Sequence, residues 1–202
     1  MNRAALRLLL VLTAVVALVV TSATAYVLSG DSWPHPAGGP MPMTETWALC
    51  ANTVDVNGLS AAGAVLTAAQ TWNAAGARFR FNFGAFQCQS STPRLDGVNQ
   101  VTWGEFHQYP AATYVWASST THQIYEVDTI IGDFYYKWSV VLPTPSDSLD
   151  IQTVMLHEFG HWLDLDHSSP PAVMQPFIDY GEARRTLTQD DIDGAIAIYG
   201  CG

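Results

Sequence analysis

Residues His157-Glu158-Phe159-Gly160-His161-Trp162-Leu163-Asp164-Leu165-Asp166-His167 contain H-E-x-x-H and, six residues on, a third histidine. Two histidines four apart on a helix stand on one face, one turn from each other, and can hold one metal ion between their imidazoles. Glu158 follows the first of them, so it borders the ion without having to ligate it. That is the position of a base that takes a proton from a water which the metal acidifies. His167 is too far along to reach the same ion from a straight helix. The chain is expected to leave the helix near Asp164 and fold back to present it.

Outward from this stretch, the 202-residue chain has room for one domain with additions, and 49 % hydrophobic residues against 13 % charged ones allow a substantial core. A formal net charge of −10, with eight Lys plus Arg, disfavours nucleic acid and anionic membrane surfaces as partners. Arg3 and Arg7 precede the apolar run Leu8 to Val20, and Ala23-Thr24-Ala25 supplies an A-x-A cleavage signature with Tyr26 as the new N-terminus. Residues 1–25 therefore read as a secretory signal, with an uncleaved N-terminal anchor as the alternative. Either way the rest of the chain lies outside the cytoplasm. There a disulfide is expected, and three cysteines leave one over. The expected pair is Cys50 with Cys88, both in strands flanking one helix, with Cys201 free.

Residues 26–45 are rich in Pro and Gly and read as an extended linker, which leaves 46–202 as the folded domain. Thr46 to Val56 reads as a strand, Leu59 to Ala75 as a helix with Ser60 as N-cap and Gly76 past its end, and Ala77 to Phe83 as an alternating strand. Strand–helix–strand at this length predicts a parallel pair with a crossover helix. Asn99 to Phe106 is a further strand, and Ala112 to Ser118 with Gln123 to Ile131 form an antiparallel pair. Ser148 to Asp164 is the helix of the opening stretch, with Asp147 or Ser148 as cap and Asp150 in its first turn. Thr188 caps a last helix, with Ile192, Ala195, Ile196 and Tyr199 on its apolar face. The fold class is α+β.

Three histidines are a neutral ligand set, and zinc on them keeps an open fourth position for water, the mark of a catalytic site. Glu158 as general base, then as acid toward a leaving amine, makes peptide hydrolysis the reaction best served.

Three further features carry a resemblance. Pro171-Ala172-Val173-Met174-Gln175-Pro176 follows His167, Ser168 stands directly after that histidine, and Leu187-Thr188-Gln189-Asp190-Asp191-Ile192 leads to Tyr199-Gly200. With the three histidines these resemble a metzincin and, within that group, a compact matrixin, from about Thr46 to Gly200. The resemblance implies a twisted mixed sheet with three helices and an active-site cleft above a small lower lobe. It implies Met174 packed beneath the zinc, and a protein or peptide substrate laid along an edge strand, placed at Ala112 to Ser118. The expectation is thus a monomeric, secreted zinc endopeptidase with His157, His161 and His167 as ligands and Glu158 as base.

Two departures from the family pattern stand out. The family has Gly where this chain has Asp164, at a helix end expected to need positive φ; Asp takes that region at a cost of about 1 kcal/mol. Its side chain is expected to face solvent. No cysteine precedes Cys50, so a thiol that silences the metal is missing. His35, His107 and His122 are scattered and read as surface residues rather than a second zinc site. Calcium is a further cofactor to consider, with Asp128, Asp133, Asp147 and Asp150 as candidate donors, although no EF-hand loop is present. The rival readings are a non-catalytic secreted module that keeps zinc for stability, and a zinc hydrolase acting on a non-peptide bond.

Overall fold

The computed structural model describes residues 26–34, 43–50, 58–87 and 90–202. Helix α1, Ala62–Asn73, connects strand β2, Met43–Leu49, to strand β3, Phe79–Ala85, and the two strands pair in parallel as the crossover predicts. Strand β4, Asn99–Gly104, lies parallel to β2 on its other side. Strands β5, Ala111–Ala117, and β6, Ile124–Gly132, pair antiparallel. The result is a mixed five-stranded sheet in the order β3-β2-β4-β6-β5, with β5 at an edge.

Short strands β7, Trp138–Ser139, and β8, Leu149–Asp150, pair in parallel. This pairing moves the start of the next helix. The chain stays extended through Asp150, at φ −81 and ψ 111, so helix α2 runs Ile151–Trp162 and Asp150 is its N-cap. The expected caps, Asp147 and Ser148, lie outside the helix. Asp150 Oδ2 accepts from Thr153 N–H at 2.9 Å and from the Thr153 hydroxyl at 2.6 Å, and Arg185 neutralises it. Helix α1 also starts later than read, with Ala61 rather than Ser60 at the N-cap, while Gly76 past its end takes φ +84. Helix α3, Gln189–Tyr199, opens on the expected Thr188, in a full capping box with Asp191.

The core sits between the sheet and α2. Trp47, Phe81, Phe159 and Trp162 pack ring against ring, with Phe159 edge to face with Trp47 at 5.0 Å and tilted against Phe81 at 4.9 Å. Burying each such ring contributes roughly 1.5–3 kcal/mol, and the aromatic geometry adds about 0.5–1.5 kcal/mol per pair. At 100° per residue, Phe159 and Trp162 point away from His157 and His161. The same packing that buries one side of α2 therefore turns its histidines outward. Along α2 only Gln152, His157 and His161 are not fully buried.

Residues 26–34 are not the linker their composition suggests. Strand β1, Val27–Leu28, pairs antiparallel with β9, Leu165–Asp166. Trp33 is buried and donates its indole N–H to Trp162 O at 2.8 Å. The segment is a strap across the end of α2. At the other end of the expected linker, residues 43–45 belong to β2, while residues 35–42 lie outside the described residues, as does the apolar run of residues 1–25. Among the described residues no helix is long and apolar enough to cross a membrane.

Candidate metal centre

The histidines are aimed from behind. His157 Nδ1 donates to Val173 O at 2.9 Å, and His161 Nδ1 donates to Leu165 O at 2.7 Å. Carbonyl oxygens only accept, so both Nδ1 atoms carry protons and, in neutral rings, both Nε2 atoms carry lone pairs. Those two Nε2 atoms stand 3.0 Å apart. Two converging lone pairs at that distance repel unless a cation lies between them. His167 closes the set, its ring centroid 5.0 Å from that of His161, and one ligating atom from each of the three histidines falls within 4.8 Å of the others. The donor set therefore fits a borderline divalent ion such as zinc. Burial, with His161 alongside, pushes His157 down to about 3, so that it is neutral and ready to ligate. His167 is also lowered, first by burial and then by His161.

Between His161 and His167 the chain reverses at Asp164, whose φ is +70 as expected of a helix-ending position. Its side chain departs from expectation. Rather than facing solvent it is buried, 3 % exposed, and Oδ2 accepts from Gly30 N–H and Asp31 N–H, each at 2.7 Å. The carboxylate is the latch of the strap. Burial raises it to about 6, against the two backbone donors that lower it.

Met174 is buried beside Gly160, at the level of the histidine pair. A methyl group on Gly160 would fall 2.2 Å from the Met174 sulfur. The turn around Met174 is tied on three sides: Val173 O holds His157, Met174 O accepts from Ser168 N–H at 3.0 Å, and Asp191 accepts from the N–H groups of Val173 and Met174 at 3.0 and 3.2 Å. Asp191 thus couples the capping box of α3 to the ring orientation of His157, one of the three convergent histidines.

Glu158 is buried beside the triad and burial raises its carboxyl. Its Oε2 accepts from the Thr113 hydroxyl of edge strand β5 at 2.6 Å. A cleft of about 690 Å³ runs along β5, over Glu158 and the histidines, to Phe177 and Arg184 on the far wall. Ser29 and Asp31 of the strap stand at its end.

Several candidate residues have other roles. Three of the four carboxylates considered for calcium are engaged elsewhere. Asp128 accepts from the N–H groups of Arg94 and Gln100, Asp147 pairs with Lys137, and Asp150 caps α2. His122 pairs with Asp31 at 2.9 Å, and His107 packs on Tyr135. Cys201 is exposed and free. Cys50 is buried with its Sγ 4.0 Å from Gln87 O, and Cys88, its expected partner, lies outside the described residues. The strap and Thr113 escaped the sequence reading altogether. A tryptophan amid prolines and glycines, and a small polar residue on the inner face of an alternating strand, were the available signals.

Comparison with known proteins bears on the same residues. Part of the chain is similar to human "Neutrophil collagenase", 42 % identical over 71 residues, which is 34 % of this chain and 15 % of that protein. It is similar to "Metalloendoproteinase 2-MMP" of Arabidopsis thaliana, 41 % identical over 54 residues, 26 % of this chain and 14 % of the other. "Metalloendoproteinase 1" of Glycine max is 43 % identical over 56 residues, 27 % of this chain and 18 % of the other. These matches span less than a fifth of each relative. The family model described as Matrixin matches residues 42–200, which takes in the whole sheet, α2, the Met174 turn and α3. With that span and the histidine geometry in agreement, the chain belongs to the matrixin family.

Proposed function

We propose that this protein is a secreted zinc-dependent endopeptidase in which Glu158 is the general base. The observation that carries the reading is the juxtaposition of a buried carboxylate with three convergent imidazoles in an open cleft. A metal kept only for stability has no use for a base at that place, which weighs against the binding-module alternative.

His157, His161 and His167 would hold the zinc, and when bound it supplies the Lewis acidity that activates a water and polarises a carbonyl. Glu158 accepts the proton of the attacking water and delivers it to the leaving amine. Its raised carboxyl suits this double duty, because a stronger base can still return the proton. A substrate peptide lies along β5, extending the sheet by one antiparallel strand. Such main-chain pairing favours peptide bonds over other carbonyl substrates, and sets the protease reading above that of a general zinc hydrolase.

Export removes residues 1–25 and leaves Tyr26 first. Tyr26 packs against Gly194 of α3, so cleavage at that point keeps the strap intact. In the oxidising compartment Cys50 pairs with Cys88. The protein acts as a monomer.

The test is hydrolysis of casein and of a peptide library, with and without a chelator, by the parent and by Glu158→Ala. The parent is expected to cleave, the chelator to stop it, and Glu158→Ala to keep zinc and fold while losing at least about a hundredfold in rate. A parent that binds zinc and cleaves nothing in the library supports the binding module instead. A Glu158→Ala variant as fast as the parent removes Glu158 from the mechanism.

A further inference from the structure

We propose that Thr113 is a positioning residue for Glu158, acting through a hydrogen-bond chain of fixed direction that starts at Trp162. The inference rests on the reading of Glu158 as the base. Four groups stand in series: Trp162 Nε1 to Thr129 Oγ1 at 2.8 Å, Thr129 Oγ1 to Thr113 Oγ1 at 2.7 Å, and Thr113 Oγ1 to Glu158 Oε2 at 2.6 Å. The indole N–H can only donate, and an ionised carboxylate can only accept. Each hydroxyl has one proton. With both ends fixed, Thr129 must donate to Thr113 and Thr113 must donate to Glu158.

The sheet builds this geometry. Thr113 and Thr129 are register partners across the antiparallel pair β5–β6, where facing hydroxyls come into hydrogen-bond contact. Thr129 is fully buried and Trp162 is the last residue of α2, so the chain is anchored in the core at one end. Its other end reaches the cleft, of which both Thr113 and Glu158 are walls.

The consequence is a choice between two carboxylate oxygens. Oε2 is engaged by Thr113, and among the described residues no donor meets Oε1. Oε1 is therefore the oxygen left to accept the proton of the attacking water, and the torsion that aims it is held by Thr113. Because Thr113 sits on the edge strand that would pair with substrate, the base and the substrate backbone are referenced to the same strand. Movement of one relative to the other is thereby restricted, which is what efficient proton transfer requires.

The experiment compares Thr113→Val, which removes the hydroxyl with little change of volume, with Thr113→Ser, which restores it, and with Thr129→Val, which removes the donor behind it. Zinc content, kcat and KM are measured on a cleavable peptide, and the Glu158 carboxylate stretch is read as the infrared difference between each protein and its Glu158→Gln partner, in zinc-depleted samples. Thr113→Val is expected to lower kcat roughly 10- to 100-fold with KM within about twofold and zinc content unchanged, and to shift the carboxylate band. Thr113→Ser should lie within about threefold of the parent with the parental band, and Thr129→Val should fall between them. A parental kcat and an unmoved band in Thr113→Val overturn the proposal. An equal loss in Thr113→Ser overturns it as well, since that marks a packing effect. If the parent itself cleaves nothing, the function proposed above fails, and the infrared comparison still decides whether Thr113 holds Glu158.

Discussion

Asp164 offers the sharpest test of how the third histidine is presented. Three substitutions separate its contributions. Both backbone donors of the strap meet the same oxygen, Oδ2, so Asn in place of Asp can accept both through its carbonyl oxygen. Asn also tolerates the left-handed backbone at φ +70. Burial disfavours the charge that Asp carries above about pH 6, a penalty Asn avoids. Asp164→Asn is therefore expected to equal or exceed the parent in stability at pH 7.5. Asp164→Gly loses both acceptor contacts, about 1 kcal/mol each for neutral bonds, and recovers about 1 kcal/mol or less of backbone strain. It should fall about 1–2 kcal/mol below Asn. Asp164→Ala loses the same contacts and keeps an ill-suited residue at positive φ, so it should fall about 1 kcal/mol further. The assay is urea unfolding of zinc-depleted protein, which keeps metal affinity out of the comparison. Amide exchange at Gly30 and Asp31 is followed alongside. Protection at these two amides should fall in the Gly and Ala variants and persist in Asn. If the Gly variant matches Asn in stability and both amides stay protected, the carboxylate is not the latch of the strap.

Gly160→Ala would place a methyl group 2.2 Å from the Met174 sulfur; overpacking of about 1–3 kcal/mol outweighs a gain in helix propensity of under about 1 kcal/mol. A lowered unfolding midpoint and weaker zinc retention in a chelator competition are expected, and a stabilised protein would refute the contact. Asp191→Ala strands the N–H groups of Val173, Met174 and Thr188, and should cost roughly 3–5 kcal/mol. It should also weaken zinc about 10- to 100-fold through the Val173 carbonyl that orients His157, as read by competition with a zinc indicator. Burial raises Asp128 from 3.8 to about 6. The folded state then holds more protons than the unfolded one between about pH 4 and 6, so the contribution of Asp128 is full below that window and lost as pH rises through it. Unfolding free energy measured against pH should fall across the window in the parent and less so in Asp128→Asn; identical slopes would dismiss the effect.

What the sequence reveals here divides by distance along the chain. His157 and His161 are legible because helical period alone puts them on one face, and Glu158 because the next position along borders that face. The antiparallel β5–β6 pair is legible from a short connection, while the edge position of β5 follows from the family resemblance alone. The cap of α2 lies two or three residues beyond the expected Ser148 or Asp147 because the β7–β8 pairing, which keeps Asp150 extended, joins two very short strands that leave no periodic trace. For Asp164 the backbone angle followed from a local rule, while the direction of the side chain depended on partners more than 130 residues away. The Thr113 contact with Glu158 is invisible for the same reason: neither threonine of the chain forms any pattern until the strands are laid in register.

The carbonyl groups at the end of α2 show why so much of the molecule gathers there. A helix end leaves its last carbonyls without intrahelical partners, and a buried end must find them elsewhere. Gly160 O and His161 O are met by the N–H groups of Leu163 and Asp164, within the turn itself. Trp162 O is met by the indole of Trp33, and Leu163 O by the Tyr199 hydroxyl of α3. Asp164 O is met by Ser29 N–H, and Leu165 O by the ring of His161. Of these six acceptors, two depend on the strap, one on α3 and one on the His161 ring. The reversal that delivers His167 is thus secured from outside the helix, and the segment with the composition of a linker supplies the larger external share. Trp162 joins this arrangement to the other, since its carbonyl receives the strap while its indole starts the chain that ends on Glu158. His167 and Glu158 are consequently referenced to one residue, and a change at Trp162 should disturb both together where changes at Asp164 or Thr113 disturb one alone.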